Sequence, residues 1–282
     1  REKEIERKAG VEKTAGFFLM LFIVAGTFAV VYGILYVANL IHPVLRFCLE
    51  TFFIYQILAT KSLKTESMKV YKKLKEGDLI GARKEVSYLV GRDTENLDES
   101  EVAKADVETI AENTADGVIA PMLFIAIGGA PLGFAYKAVN TLDSMVAYKN
   151  EELINIGFFS AKMDDICNFI PARFAAVMLM IASLILRFDF KGAVKIFKRD
   201  RFAHLSPNSA QTEAVAAGAL QIQLGGTHNY FGKAVVKPTI GDDIRPVEYE
   251  DIKRTNQLLY VSAVLSMAVC CLITFLIYVQ LF

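Results

Sequence analysis

The chain has no surplus of charge. Its 282 residues carry 31 Lys and Arg against 31 Asp and Glu. That balance excludes a strongly basic nucleic-acid binder and a wholly acidic disordered chain. Cysteine is scarce: Cys48, Cys167, Cys270 and Cys271 form no C-x-x-C pair, and three of them sit in apolar segments. The expectation is buried thiols packed as small hydrophobes, with no disulfide framework. Histidine is scarcer still. His42, His204 and His228 are far apart in sequence and make no H-E-x-x-H, so a histidine metal site is not expected. The sequence also lacks G-x-x-x-x-G-K-[ST], a G-x-G-x-x-G after a strand, and G-x-x-x-D-x-x-x-D. Any nucleotide is therefore held by something other than a Walker P-loop. No internal repeat, low-complexity tract or flexible linker is present.

What the chain has in excess is apolar residues. They make up 54% of it, and the mean hydropathy is +0.36, above the range of ordinary soluble domains. Yet 22% of residues are charged, too many for a chain lying wholly in lipid. The two figures agree only if charge is segregated. Thr14 to Leu45 is 32 residues without Asp, Glu, Lys or Arg, Gly117 to Tyr136 is 20, and Thr255 to Phe282 is 28. A span needs about 20 apolar residues. The fold class expected is all-α: a polytopic integral membrane protein with transmembrane helices and amphipathic helices in large polar loops.

Five segments follow. Residues 1–60 hold a charged start, a transmembrane helix over Ala15 to Leu40, and a shorter apolar stretch from Val44 to Leu58 that is either a returning or an interfacial helix. REKEIERK, where acids alternate with bases, is no signal-peptide n-region. Residues 61–116 form a polar helical region with acidic motifs. Its helices end near Gly77 and Gly91, and Asp98 or Ser100 caps the third. Residues 117–187 are membrane-embedded or re-entrant, broken at Gly128-Gly-Ala-Pro131. Residues 188–254 are a polar loop region with helix signals at 210–221 and a Gly-rich loop at 225–232. Residues 255–282 are the last transmembrane helix. Residues 1–13, 61–116 and 187–254 hold five, ten and eleven Lys and Arg, whereas 140–168 holds Lys149 and Lys162 alone. The first three segments are expected on the cytoplasmic side.

Four polar clusters could carry chemistry. The first is Gly91 to Asp98, with Arg92 and Asp93. The second is Glu108 to Gly117. Nine carboxylates lie between Asp93 and Asp116 against one Lys. On a helix Glu108, Glu112 and Asp116 recur every four residues and stack on one face. Either that face is simply solvated, or a cation or outside Arg and Lys offset it, and Mg²⁺ suits such oxygen-rich clusters. The third cluster is Lys137 to Asn150, where Lys137, Asn140 and Asp143 share a face. Interfacial anchoring competes with function there. The fourth is Lys162 to Arg173. Asp164 and Asn168 form an i,i+4 pair, and Asp164 or Asp165 could be a plain structural partner for Arg173. Gly225-Gly226 could let backbone approach a phosphate.

Together the clusters resemble the CobD/CbiB family, the adenosylcobinamide-phosphate synthases of cobalamin biosynthesis. The resemblance rests on VGRDT (90–94), VETIAENTADGVIAP (107–121), YKAVNTLDSMVAYKN (136–150), SAKMDDICNFIPAR (160–173), RD (199–200), SPNSAQTEAVAAGAL (206–220) and LGG (224–226), in family order. Ala147 stands where the family usually has Gly, and the family's first segment, with a G-D-P turn, is not in this chain.

The resemblance implies a membrane ligase. Adenosylcobyric acid would be joined through an amide to (R)-1-aminopropan-2-ol or its O-phosphate, driven by ATP with Mg²⁺. It implies Glu112, Asp143, Asp164 and Asp165 as catalytic candidates, with Glu112 or Asp164 deprotonating the amine. Asp93, Glu112, Asp116 and Asp143 are the implied metal candidates. Arg92, Lys137, Asn140, Lys149, Asn168 and Arg173 are the implied substrate or phosphate contacts. Expected partners are these substrates, the lipid bilayer and other late cobalamin-assembly enzymes, with no nucleic acid. The expected location is the cell membrane, with cytoplasmic active-site loops, and a re-entrant hairpin at 117–139 would keep the clusters on one side. The competing reading is a non-catalytic corrinoid-binding transport or scaffold protein, which would be expected to show more spans and inverted repeats.

Overall fold

The computed structural model describes residues 2–146, 154–230 and 232–281. Four helical stretches are long and apolar enough to cross a membrane: Ala9–Ile41, Glu99–Val146, Phe158–Ile185 and Tyr249–Ile277. The chain is a multi-pass membrane protein of all-α character, with one small hairpin added. Its five sequence segments regroup into two compact units. The first comprises the chain up to Leu58, Pro121–Asn168 and the residues from Cys270 onward; the second comprises Ala59–Ala120 and Phe169–Val269.

The first unit is built from α1 (Glu2–Ile41) and α2 (Pro43–Ile57), most of α6 (Ala120–Val146), the start of α7 (Phe158–Ile185) and the end of α10 (Tyr249–Leu281). The charged start is continuous with the apolar helix in α1. Pro43 opens α2 where a missing N–H costs nothing, and the Val44 N–H donates to His42 Nδ1 at 3.2 Å. The stretch after His42 is a returning helix: Leu49, Phe53 and Ile54 of α2 pack against Val31 and Leu35 of α1. Phe18, Phe22 and Leu40 stay exposed on α1, the surface lipid covers.

Within α6 the chain turns back on itself. Gly128 and Gly129 leave helical geometry, and Gly129 has φ +65°. Twelve residues of straight helix would separate Phe124 from Tyr136 by about 18 Å, but their rings stack at 4.8 Å. Gly129 is needed at the turn for its backbone, and a Cβ there would also come within 2.6 Å of Glu50 Oε1. The long apolar stretch Glu99–Val146 is therefore not one straight span.

The second unit holds α3 (Thr60–Lys75), α4 (Leu79–Ser87), α5 (Glu99–Asn113), a π-helical turn (Thr114–Ile119), α7 from Phe169, α8 (Phe190–Asp200), α9 (Ser209–Leu220), β1 (Leu224–Tyr230), β2 (Lys233–Ile240) and α10 as far as Val269. Asp98 caps α5. Its carboxylate accepts the Glu101 N–H at 2.8 Å while Glu101 accepts the Asp98 N–H at 2.9 Å, a reciprocal capping box. Every residue of α9 is buried, which its run of Ala, Ser, Thr and Gly permits by letting neighbours approach closely. In the first turn of α10, Asp251 is fully buried and accepts from both Arg245 nitrogens, Arg254 and the Glu248 N–H at 2.6–2.9 Å. The Gly-rich stretch 225–232 differs from its expectation as a loop. Residues 224–230 are a strand, paired antiparallel with β2 through an irregularity at Gly225/Gly226. Two glycines and no clean alternation hide the strand from pattern reading.

Candidate active site

The second unit holds an open-sided polar cavity of about 150 Å³. Residues from the loop after α4, from α5, from α9 and from both strands line it. The α5 face supplies Glu108 and Glu112, one helical turn apart. Arg92 reaches Glu108 with Nη2 and contacts the His228 ring with Nη1 at 3.0–3.2 Å. The Gly225 N–H donates to the second Glu108 oxygen at 2.7 Å. Arg92 and Glu108 are both buried, so the pair sits where water screens little. The charge expected to offset the acidic stripe thus comes from Arg92. Gly225 spends its N–H on a protein carboxylate, not on a phosphate.

The stripe itself is shorter than the four-residue spacing predicts. The α-helix ends at Asn113 and Asp116 falls in the π turn, where bonding shifts from i−4 to i−5 and the register of the face is lost. Glu108 and Glu112 line the cavity; Asp116 is half-buried and does not. Glu112 accepts the Ser209 hydroxyl at 2.7 Å, which ties α5 to the start of α9. Asp93 ties down the hairpin: it accepts the Gly232 N–H at 2.8 Å, and its own N–H donates to the Asn229 carbonyl at 2.8 Å.

Three cavity residues escaped the sequence reading: Glu213 of α9, His204 and Lys237 of β2. Glu213 lies inside the recognisable SPNSAQTEAV stretch, and a carboxylate in a helix of small residues is the signal that marks it. Burial pushes its carboxyl well above the ordinary range, and Glu112 and Glu108 push it further. Burial lowers the His204 ring, whose Nδ1 accepts the Ser206 N–H at 3.0 Å. Burial and then Arg92 lower His228 to about 4, so it faces Arg92 as a neutral acceptor.

A pH effect follows from His228. An ordinary histidine titrates near 6.5 and this one near 4. Between those values the unfolded chain binds the proton that the folded chain refuses, so this group's contribution to stability falls as pH drops through that window. In thermal unfolding in detergent from pH 7 to 4, the stability advantage of wild type over His228→Gln should shrink as pH falls. A constant difference would show that His228 is not held neutral.

The first unit gathers the other candidates. Lys137, Asn140 and Asp143 lie on the second arm of α6, and Asp164, Asp165 and Asn168 on the start of α7. Asn140 Nδ2 is 3.5 Å from Asp164 Oδ1, and the Tyr136 hydroxyl donates to Asn168 Oδ1 at 2.8 Å. These two contacts join the third and fourth clusters. Asp165 pairs with Lys162 at 3.5 Å. Arg173 belongs to the second unit, and its partners are neither Asp164 nor Asp165. Its guanidinium stacks on Phe169, 3.6 Å from the ring centre, and donates to the Phe169 carbonyl and to Asn208 Oδ1. Lys149 lies outside the described residues. Among the described residues, no three His, Cys, Asp or Glu side chains are grouped to hold a metal ion.

Fold and site define a multi-pass helical membrane protein with a polar cavity assembled from widely separated sequence motifs. The family model described as CobD/Cbib protein matches residues 1–259. The chain is 55% identical over 261 residues to the cobalamin biosynthesis protein CobD of Clostridium perfringens, covering 93% of this chain and 83% of that one. It is 53% identical over 247 residues to the CobD of Streptococcus sanguinis, covering 88% and 78%. It is 46% identical over 256 residues to the cobalamin biosynthesis protein CbiB of Salmonella choleraesuis, covering 91% and 80%. No solved structure matches. The chain belongs to the CobD/CbiB family of cobalamin biosynthesis proteins.

Proposed function

We propose that the protein is the ATP-dependent ligase that joins adenosylcobyric acid to (R)-1-aminopropan-2-ol or its O-phosphate, giving adenosylcobinamide or its phosphate. The observation that carries the reading is the second-unit cavity: acids and cations from the GRDT, AENTADG and SPNSAQTEAV stretches share one space. A carboxylate at neutral pH resists attack by an amine. Transfer of a phosphoryl group from ATP would give it a leaving group, and such a transfer needs cations near the moving phosphoryl.

Mg²⁺ fits the donor set when it arrives with the nucleotide. It takes one or two protein carboxylates and fills its shell with phosphate and water oxygens. Glu112 is the metal candidate that lines the cavity, and Oε2 of its carboxylate accepts no bond among the described residues. The ion would neutralise phosphate charge there. Asp93, Asp116 and Asp143 stand as further candidates. Lys237 provides a cation at the cavity wall. Arg92 holds Glu108 and His228 in place and so shapes the site. In the first unit, Asp143, Asp164 and Asp165 stand as catalytic candidates and Lys137, Asn140 and Asn168 as substrate-contact candidates.

The test combines purified protein in detergent with adenosylcobyric acid, aminopropanol with or without phosphate, and ATP-Mg²⁺. The expected result is an amide product that appears only with ATP. A protein that binds the corrinoid and forms no amide with either amine would be a carrier or scaffold.

A further inference from the structure

The roles above leave Glu213 unused, and its surroundings ask for a ligand. It is 5% exposed and lines the cavity beside Glu108 and Glu112. The three carboxylates are not equivalent. Glu108 accepts from Arg92 and from the Gly225 N–H. Glu112 accepts from the Ser209 hydroxyl. Glu213 accepts from no described residue. A buried carboxyl with no partner keeps its proton, and the two acids beside it hold it there; a cation in the cavity would let it ionise. The arginine at the cavity is already spent on Glu108.

Size narrows the missing partner. A cavity of about 150 Å³ holds a molecule of about six non-hydrogen atoms, the size of benzene. A whole nucleotide or corrinoid is far larger, so either could reach this open-sided space with one end only. A protein-built metal cage is not present among the described residues. A small organic cation fits both charge and volume. A primary ammonium carries three N–H donors, and its hydrogen bonds to carboxylates are charge-assisted.

We infer that this cavity seats a small primary ammonium compound, with Glu213 as the residue that receives its ammonium group and Glu112 beside it. The inference rests on the ligase reading for what happens to the amine next, though not for its binding. The compound enters as a cation, Glu213 gives its carboxyl proton to water as the ammonium arrives, and no bond within the compound changes. Lys237 lines the same cavity, so a phosphate ester at the other end of the molecule would meet a cation there.

The test titrates full-length protein in detergent, without ATP or corrinoid, by calorimetry. The probes are 1-aminopropan-2-ol, its O-phosphate, the uncharged propane-1,2-diol, and MgCl₂ alone. Wild type should bind one or both amines and ignore the diol. Glu213→Gln should weaken amine binding by about tenfold or more, the loss of a charged hydrogen bond in a buried site. Glu213→Asp should retain part of it, and the melting temperature of each variant checks its fold. In the amide-forming assay the same change should raise KM for the amine more than it lowers kcat. No saturable amine binding by wild type, wild-type affinity in Glu213→Gln, or a heat signal for MgCl₂ that Glu213→Gln abolishes would each overturn the inference. Glu213-dependent amine binding without any ATP-driven amide would sink the ligase reading and leave this one standing. Amide formation with an unchanged amine KM in Glu213→Gln would do the reverse.

Discussion

Arg92→Met should destabilise the protein by about 3–5 kcal/mol, the range for removing one partner of a buried ion pair. Both side chains are under 10% exposed, so Glu108 would be left as a buried charge with only the Gly225 N–H and the neutral His228 ring at 4.0 Å. The cost is mostly that orphaned charge, which gives the prediction a second arm. Arg92→Met combined with Glu108→Gln should recover much of the loss, because the charge is gone. Arg92→Lys should fall between, since an ammonium cannot reproduce the planar fork that engages Glu108 and His228 together. Thermal unfolding in detergent reads all three. If Arg92→Met melted with wild type, the pair would not hold the site together.

Gly225→Ala attacks the same carboxylate from the other side. Gly225 has φ +73°, and a Cβ there would lie 2.2 Å from the Pro238 carbonyl oxygen on the partner strand. Left-handed backbone costs a non-glycine residue about 1–2 kcal/mol, and forced overpacking adds about 1–3 kcal/mol. The hairpin must shift, and the N–H it offers Glu108 moves with it. Gly226→Ala is the informative control. Its φ is +101°, but a Cβ there would meet only the Lys104 Nζ, at 3.9 Å, so strain remains and the backbone clash does not. Gly225→Ala should therefore be clearly the more damaging, in melting temperature and in amide formation alike. Equal effects would mean that backbone strain alone, and not the approach to β2, decides these positions.

Much of the scaffold was readable from residues alone because the signals are local. Apolar runs mark the spanning helices, Asp98 with Glu101 marks the start of α5, and Gly128-Gly-Ala-Pro131 marks the reversal in α6. The site was harder because its decisive features are not local. The π turn at Thr114–Ile119 has no sequence period of its own, and it removes Asp116 from a stripe that spacing places it on. Arg92 and Glu108 are both conspicuous, yet only the tertiary fold pairs them. Arg173 finds an aromatic ring and an Asn side chain in place of the acids that precede it in sequence. Glu213 lies in a helix of small residues, which hints at its burial, but its place beside Glu108 and Glu112 comes only from the tertiary fold. The hairpin was hidden by glycines that pattern reading assigns to loops.

If ATP cleavage drives amide formation at this membrane protein, as proposed, the two must run in step. The most direct measurement is stoichiometry: nucleotide cleaved and amide formed, followed in one reaction with purified protein, adenosylcobyric acid, aminopropanol or its phosphate, and ATP-Mg²⁺. The account predicts one nucleotide cleaved per amide, with neither product formed when either organic substrate is withheld. Amide formed without nucleotide cleavage, or no amide while the protein binds all its substrates, would contradict it.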